Sequence, residues 1–425
     1  MARKQTRGKK PRRVRGCYNC SQRRINCDRG TPKCQKCIKK GLECLGLGTR
    51  YRFQNAVASR GKLAGRTVPS RNVNGQTYVS QLSDDTTAAQ AEAGNNVHND
   101  VRFDGFCRRV LDHIDPQSRF LLQYFSDSVA PAMAPVNVIF NGYRDLILPL
   151  TERDEIVRHA VMAAASYHLG LHQAGWNNIA IRHHMAAIQG LGQRRYEQNI
   201  DESTLYSRLS TMLLLLIEEM ITGQKGRDFR ILLRMIKSFV ESQGGEERIE
   251  WNSQGKFFIQ EIRKMNLYST PLVSEELARC CLANISRKDL WFLHAILESH
   301  PEHSPTILKL IRLVRKASGI YIARATNIPQ QGIDKLVHGF ISETSEFSAI
   351  SPGGHILIWP FFIVGAECSR ADDQDFIVNQ LQHLWRQTGF ANTLYAIEVL
   401  REVWKDRGGI PWTEAMVNKV EVFVM

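Results

Sequence analysis

The chain has 425 residues and a formal net charge of +14, and 43% of its residues are hydrophobic, which suits globular domains with apolar cores. The charge is uneven: residues 1–66 hold 20 Lys+Arg and 2 Asp+Glu, and the rest of the chain is slightly acidic, so a polyanion is expected to bind the head and not the body. The first residues lack the apolar stretch of a secretory signal, and the run 356–366 falls short of the roughly 18 apolar residues of a membrane span. No membrane partner is therefore expected, and the ten cysteines read as thiols of a reducing compartment.

In chain order, residues 1–16 form a basic arm with eight cations and no acid, and the run Lys9-Lys10-Pro11-Arg12-Arg13-Val14-Arg15 suits nuclear import or contact with phosphates. Residues 17–44 hold six of the ten cysteines: Cys17, Cys20, Cys27, Cys34, Cys37 and Cys44. Their spacing is the unit C-x2-C-x6-C written twice. Thiolate suits tetrahedral zinc, and six thiolates serve one zinc with two to spare, or two zincs if two sulfurs bridge. About 30 residues cannot bury enough apolar surface to fold unaided, so metal must supply the folding energy. Short helices are expected at 18–25 and 35–40, the second stopped by Gly41.

The string CYNCSQRRINCDRGTPKCQKCIKKGLEC, with Asp28 after the third cysteine and Pro32 two before the fourth, resembles the fungal binuclear zinc cluster DNA-binding module. The resemblance implies two Zn2+ ions, one held by Cys17, Cys20, Cys27 and Cys34, the other by Cys34, Cys37, Cys44 and Cys17. It implies double-stranded DNA as partner, with the first helix end reading a CGG-type triplet in the major groove. Arg24 and then Arg23 are assigned to guanine, and Asn26, Lys33, Lys36, Lys39 and Lys40 to further DNA contacts. Ser21 and Asn26 stand where the family often has basic residues, which reduces the electrostatic component of binding and blurs the triplet preference.

Residues 45–66 look like a basic extension, and 67–100, rich in Ser, Thr, Asn, Gln, Ala and Gly, like a flexible linker. No a/d apolar pattern persists for three heptads between residues 45 and 100, so the family's usual coiled coil beside the cluster is not expected. From 101 to 425 the apolar spacing is helical, with helices expected from 154 and at 205–221, 229–240, 304–325 and 376–385. The strings at 120–125, 141–150 and 358–367 are similar to the fungal-specific transcription factor domain. The fold expected is therefore mostly α: a small two-zinc DNA-binding module followed by a large all-α regulatory domain of about a dozen helices.

Neither G-x-S-x-G, H-E-x-x-H nor G-x4-G-K-[ST] occurs, so no enzyme is expected. His183 and His184 are adjacent on a helix and point apart, against a shared metal. Cys280, Cys281 and Cys368 are expected to be small buried apolar residues. The function expected is a nuclear, sequence-specific DNA-binding transcription regulator, with a homodimer through the helical domain and co-regulators as further partners. The alternative is a zinc-stabilised protein-interaction or silencing scaffold that reads no bases.

Overall fold

The structure is a computed structural model that describes residues 16, 17, 20, 23, 25–30, 33–42, 44, 114–134, 140–197, 200–226, 229–345, 353–406 and 411–425. The basic arm up to residue 15, the extension, the linker and Arg24 lie outside the described residues. The chain divides into two compact units, Met1–Arg52 and Phe53–Met425.

In the first unit the regular element is α1, Gln35–Ile38, followed by a turn through Gly41. The expected stop is there: Gly41 has φ +62, and the Leu42 N–H closes back on the Cys37 carbonyl at 3.0 Å. The helix expected at 18–25 falls largely outside the described residues. It does not reach Ile25, which is non-helical and whose N–H returns to the Cys20 carbonyl at 3.0 Å. The two halves of the cysteine repeat thus share a backbone bond from an N–H to the carbonyl five residues back, the pattern that closes a helix C-terminus.

Among the described residues of the second unit every regular element is helical. In chain order these are α2 (Pro116–Tyr124), α3 (Ala130–Met133), α4 (Leu148–Leu150), α5 (Glu155–Gly170), α6 (Asn177–Gln193), α7 (Glu202–Thr222), α8 (Phe229–Ser242) and α9 (Glu246–Ile249). Then follow α10 (Ser253–Val273), α11 (Glu275–Ala283), α12 (Trp291–Ser299), α13 (Ser304–Ala325), α14 (Gln330–Ser345), α15 (Ile358–Glu367), α16 (Ala371–Thr388), α17 (Asn392–Lys405) and α18 (Trp412–Lys419). Short polar side chains start many of them: Asp115, Asp154, Asp201, Asn252 and Ser274 each accept a hydrogen bond from a first-turn N–H.

Prolines shape the irregular stretches. The wide π turns Phe125–Val129 and Tyr143–Ile147 each run into a helix with proline in its first two positions, Pro131 and Pro149. Proline has no N–H to offer the carbonyl four residues back, so the ladder loosens just upstream. Pro271 lies inside α10, and there the Thr270 hydroxyl takes over, donating to the Leu267 carbonyl at 2.9 Å.

Four helices, α5, α7, α13 and α15, carry much of the core. α5 is packed between α6 and α7, and α13 lies against α15. All ten residues of α15 are buried, as is α7 from Tyr206 to Ile221. The segment 212–217 is core, as its composition suggests. The buried Trp359 indole donates to the Tyr268 carbonyl at 3.0 Å, joining α15 to α10. The end of the chain is part of this core: Val420, Val422, Phe423 and Val424 are fully buried, with Arg230 donating to the carbonyls of Leu272, Val417 and Val420 at 2.7–2.9 Å.

Candidate metal centre

The first unit is built around sulfur. The six cysteines are all buried and form a cluster of their own, while the apolar side chains Ile25, Ile38 and Leu42 are exposed at 38%, 51% and 40%. A hydrophobic core is therefore not what holds the described residues of this unit together.

The sulfurs gather as two overlapping quartets. Cys17, Cys20, Cys27 and Cys34 form one, Cys17, Cys34, Cys37 and Cys44 the other, and within each the sulfurs lie within 4.8 Å of one another. Cys17 and Cys34 belong to both, with their Sγ atoms 3.5 Å apart; Cys17–Cys37 is 3.6 Å and Cys20–Cys34 3.7 Å. Two tetrahedral sites sharing an edge of two sulfurs need this arrangement.

The backbone repeats with the sequence. The Cys17 N–H donates to Cys27 Sγ and the Cys34 N–H to Cys44 Sγ, both at 3.3 Å. The Cys20 N–H donates to Cys17 Sγ and the Cys37 N–H to Cys34 Sγ, both at 3.4 Å. Sulfur accepts such bonds best as thiolate, so the scaffold is set for metal-bound sulfur. As bare thiols the group is strained electrostatically. Burial pushes Cys17 well above the ordinary thiol range and Cys34 up to about 12. Cys27 is likewise pushed up by burial, but the N–H groups of Cys17 and Arg29 outweigh this and bring it down to about 7. A coordinated dication resolves the conflict, because it deprotonates its thiol ligands outright.

Asp28 has a structural role that the sequence did not reveal. Its carboxylate accepts from the N–H groups of Gln35 at 2.8 Å, Lys36 at 3.3 Å and Gly30 at 3.4 Å, so it caps the start of α1 from the opposite half of the module. The Gln35 N–H first, with the others, holds its pKa below the ordinary carboxylate value. Its neighbour Arg29 takes the left-handed conformation, φ 59, and donates its N–H to Cys27 Sγ. Gly16 is close-packed: a Cβ there would sit 2.2 Å from Cys27 Cβ.

Of the residues expected at DNA, Arg23, Asn26, Lys33, Lys36, Lys39 and Lys40 are exposed, and Arg24 lies outside the described residues. Lys36 is engaged within the module, its ammonium donating to the Asn26 carbonyl at 2.5 Å. Lys36 and Asn26 are thus tied together across the two halves.

Elsewhere the described residues bring together no third set of three or more metal-ligating side chains. His183 and His184 diverge as their register requires: His183 faces His159 at 3.0 Å and His184 bonds Glu218 at 2.6 Å. Glu298 pairs with Arg287, and His300 with Glu302. Cys368 is buried as expected, but Cys280 is exposed and Cys281 half-buried, because α11 turns its Cys280 edge to solvent and buries Ala278 and Leu282 instead.

Comparison with known proteins matches residues 15–50 to the fungal Zn(2)-Cys(6) binuclear cluster domain. Residues 120–269 and 273–425 match the fungal specific transcription factor domain. Two curated relatives are similar over shorter stretches. The acriflavine sensitivity control protein acr-2 of Neurospora crassa is 34% identical over 97 residues, 21% of this chain and 16% of that protein. The pestheic acid cluster transcriptional regulator 3 of Pestalotiopsis fici is 25% identical over 191 residues, 36% of this chain and 33% of that protein. The matched stretches thus span a third or less of either relative's length. No solved structure matches. With the second domain matched over most of the chain and the first over the double cysteine quartet, the chain belongs to the fungal-specific transcription factor family and carries that family's two-zinc, six-cysteine cluster.

Proposed function

We propose that the protein is a nuclear transcription regulator whose zinc cluster binds double-stranded DNA sequence-specifically at CGG-type triplets, and whose helical body regulates that binding. The observation that carries the reading is the pair of quartets sharing Cys17 and Cys34, with exposed cations around them. Cys17, Cys20, Cys27 and Cys34 would hold one Zn2+, and Cys17, Cys34, Cys37 and Cys44 the other. Bound zinc supplies the cross-links that replace a hydrophobic core.

Arg23 and Arg24 follow the first C-x2-C turn, and a guanidinium there matches the O6/N7 edge of guanine. Lys33, Lys39 and Lys40 are placed for phosphates, where compact ammonium groups add affinity without sequence preference. Lys36 acts by fixing the Asn26 backbone, which presents the Asn26 side chain outward. A homodimer, if DNA sites are paired, forms through the helical body, which also receives co-regulators. Among the described residues no helix is long and apolar enough to cross a membrane.

The test is binding of the full chain to duplexes carrying CGG or a scrambled triplet, across a salt series. Arg24→Ala is expected to remove about 1–3 kcal/mol of base discrimination. The double variant K39A/K40A is expected to weaken binding to both duplexes alike and to flatten the salt slope. Equal loss on both duplexes for Arg24→Ala contradicts base reading by that residue. Absence of any triplet preference in the native chain favours the scaffold reading over the regulator.

A further inference from the structure

The solvent face of α6 carries a row of apolar side chains. Ile181, Met185 and Ile188 are exposed at 49%, 46% and 42%, and the exposed Asn178 and Gly192 extend the row at its two ends. Positions 178, 181, 185, 188 and 192 step by three and four in alternation, the a/d spacing of a seam that packs against a second helix. The opposite face is already used: Ala180 and Ala187 are fully buried where α6 packs on α5 and α7. Both flanks of that buried face are pinned, by His183 against His159 at 3.0 Å and by His184 on Glu218 at 2.6 Å. The rotation of α6 is thereby fixed, and the row is held towards solvent.

Charge and symmetry point to a second copy of this chain as the occupant. Arg182 is the one Asp, Glu, Lys or Arg in α6, so the face is almost uncharged. The row is also close to palindromic. A two-fold axis that turns one copy end for end sets Met185 of each against Ile188 of the other, and Ile181 of each over Gly192 of the other. A Cβ at Gly192 would meet nothing within 4 Å, so there is room for an isoleucine at that end. In the same register Arg182 of each copy falls nearest Gln189 of the other, and no like charges meet. The exposed pair Ile231 and Met235 on α8 lacks this property, because Arg234 and Lys237 stand exposed beside it and a two-fold contact there would bring four cations together.

We infer that the outer face of α6 is a self-association surface, on which two copies of the chain pair α6 end for end through Ile181, Met185 and Ile188. This rests on the proposal above that a homodimer forms through the helical body, and it gives that dimer a surface; triplet reading by the zinc cluster is not used. At 1.5 Å per residue α6 is about 25 Å long, which puts one helix face at the small end of protein interfaces. The dimer is therefore reversible, with dissociation expected at about 10–100 μM, and two copies on neighbouring DNA sites meet at a higher effective concentration than that.

Sedimentation velocity of the zinc-loaded full chain without DNA, from about 1 to 200 μM, reads this equilibrium. Met185→Glu and Met185→Lys alter an exposed side chain, so both variants should unfold at the native temperature, and each should weaken the dimer about tenfold or more by placing like charges across the axis. An equimolar mixture of the two should associate again, because position 185 of one copy lies close to position 185 of the other. Ile231→Glu, at an equally exposed apolar residue of α8, should leave the dimer unchanged. A native chain that stays monomeric throughout would overturn both this surface and the body dimer on which it rests. A dimer that survives Met185→Glu, that is lost equally in Ile231→Glu, or that the mixture fails to restore would overturn the α6 surface alone.

Discussion

The two units of this chain solve the same problem with different materials. In the body, dozens of apolar side chains are buried on packed helices, and stability is spread over all of them. In the N-terminal unit the buried set is six sulfur atoms, and the described isoleucines and leucine face solvent. The body can therefore lose one contact and persist, whereas the small unit depends on a few bonds that all pass through two metal sites. Electrostatics separates them too. The body hides its charges in pairs such as Lys264–Glu261 and Arg324–Glu367, while the small unit turns its cations outward.

Metal removal exposes this contrast with the largest effect. A strong chelator should unfold the N-terminal unit and abolish DNA binding, yet leave the helical circular dichroism of the full chain and the main calorimetric transition almost unchanged. A chelator that melted the body as well would break the comparison.

Next in size are changes to the body alone. Trp359→Ala empties a fully buried site and should cost about 3–5 kcal/mol. Glu261→Gln leaves the buried Lys264 charge unpaired and should cost a similar amount, about 3–5 kcal/mol. Urea denaturation of the body measures both, and zinc content should stay at the native value. A loss of zinc in either variant would show that the two units are not independent.

Acid should weaken both units for different reasons. Burial holds His355 and His183 at a pKa of about 4, below the 6.5 of an unfolded imidazole. Below pH 6.5 the unfolded chain takes up protons that the folded body refuses. Body stability is therefore full above about pH 6.5 and falls progressively towards pH 4. In the small unit, protons compete with metal for sulfur, so zinc release should accompany acidification. Urea midpoints from pH 7 to 4 test the first, and His355→Gln should flatten the slope. A slope of opposite sign would contradict the buried neutral histidines.

The smallest effect is expected at Asp28. Asp28→Ala removes the cap on α1 without touching a cysteine, so zinc should bind with the same stoichiometry but be lost at a lower chelator concentration. Unchanged chelator resistance would show that the cap does not support the cluster.

How much of this could be read from the residues follows the same division. The cysteine repeat alone indicated a zinc site, and left open one zinc with two thiolates to spare or two zincs with bridging sulfurs. The family resemblance then implied the two quartets in which the sulfurs are found. In the body, strong apolar periodicity gave Ser304–Ala325 at both ends, and the start of α5 was legible from the acids Asp154 and Glu155 before an Ala-rich run. α10 was not foreseen. It carries Lys256, Glu261, Arg263, Lys264 and Pro271 along its length, and Glu261 is buried against Tyr143, 118 residues away. The partner that makes a buried charge tolerable lies too far along the chain for a local pattern to reveal it. Asp28 was noticed as part of a motif, but its role became visible only once residues 28 and 35 were brought together across the module.

Two zinc ions sharing Cys17 and Cys34 are what hold the N-terminal unit together. Native mass spectrometry of the full chain, with Cys17→Ala and Cys20→Ala beside it, measures this most directly. Two zincs are expected in the native chain, with both lost in Cys17→Ala and one retained in a substantial fraction of Cys20→Ala. A native chain carrying a single zinc, or a Cys17→Ala variant that keeps one as readily as Cys20→Ala does, would contradict it.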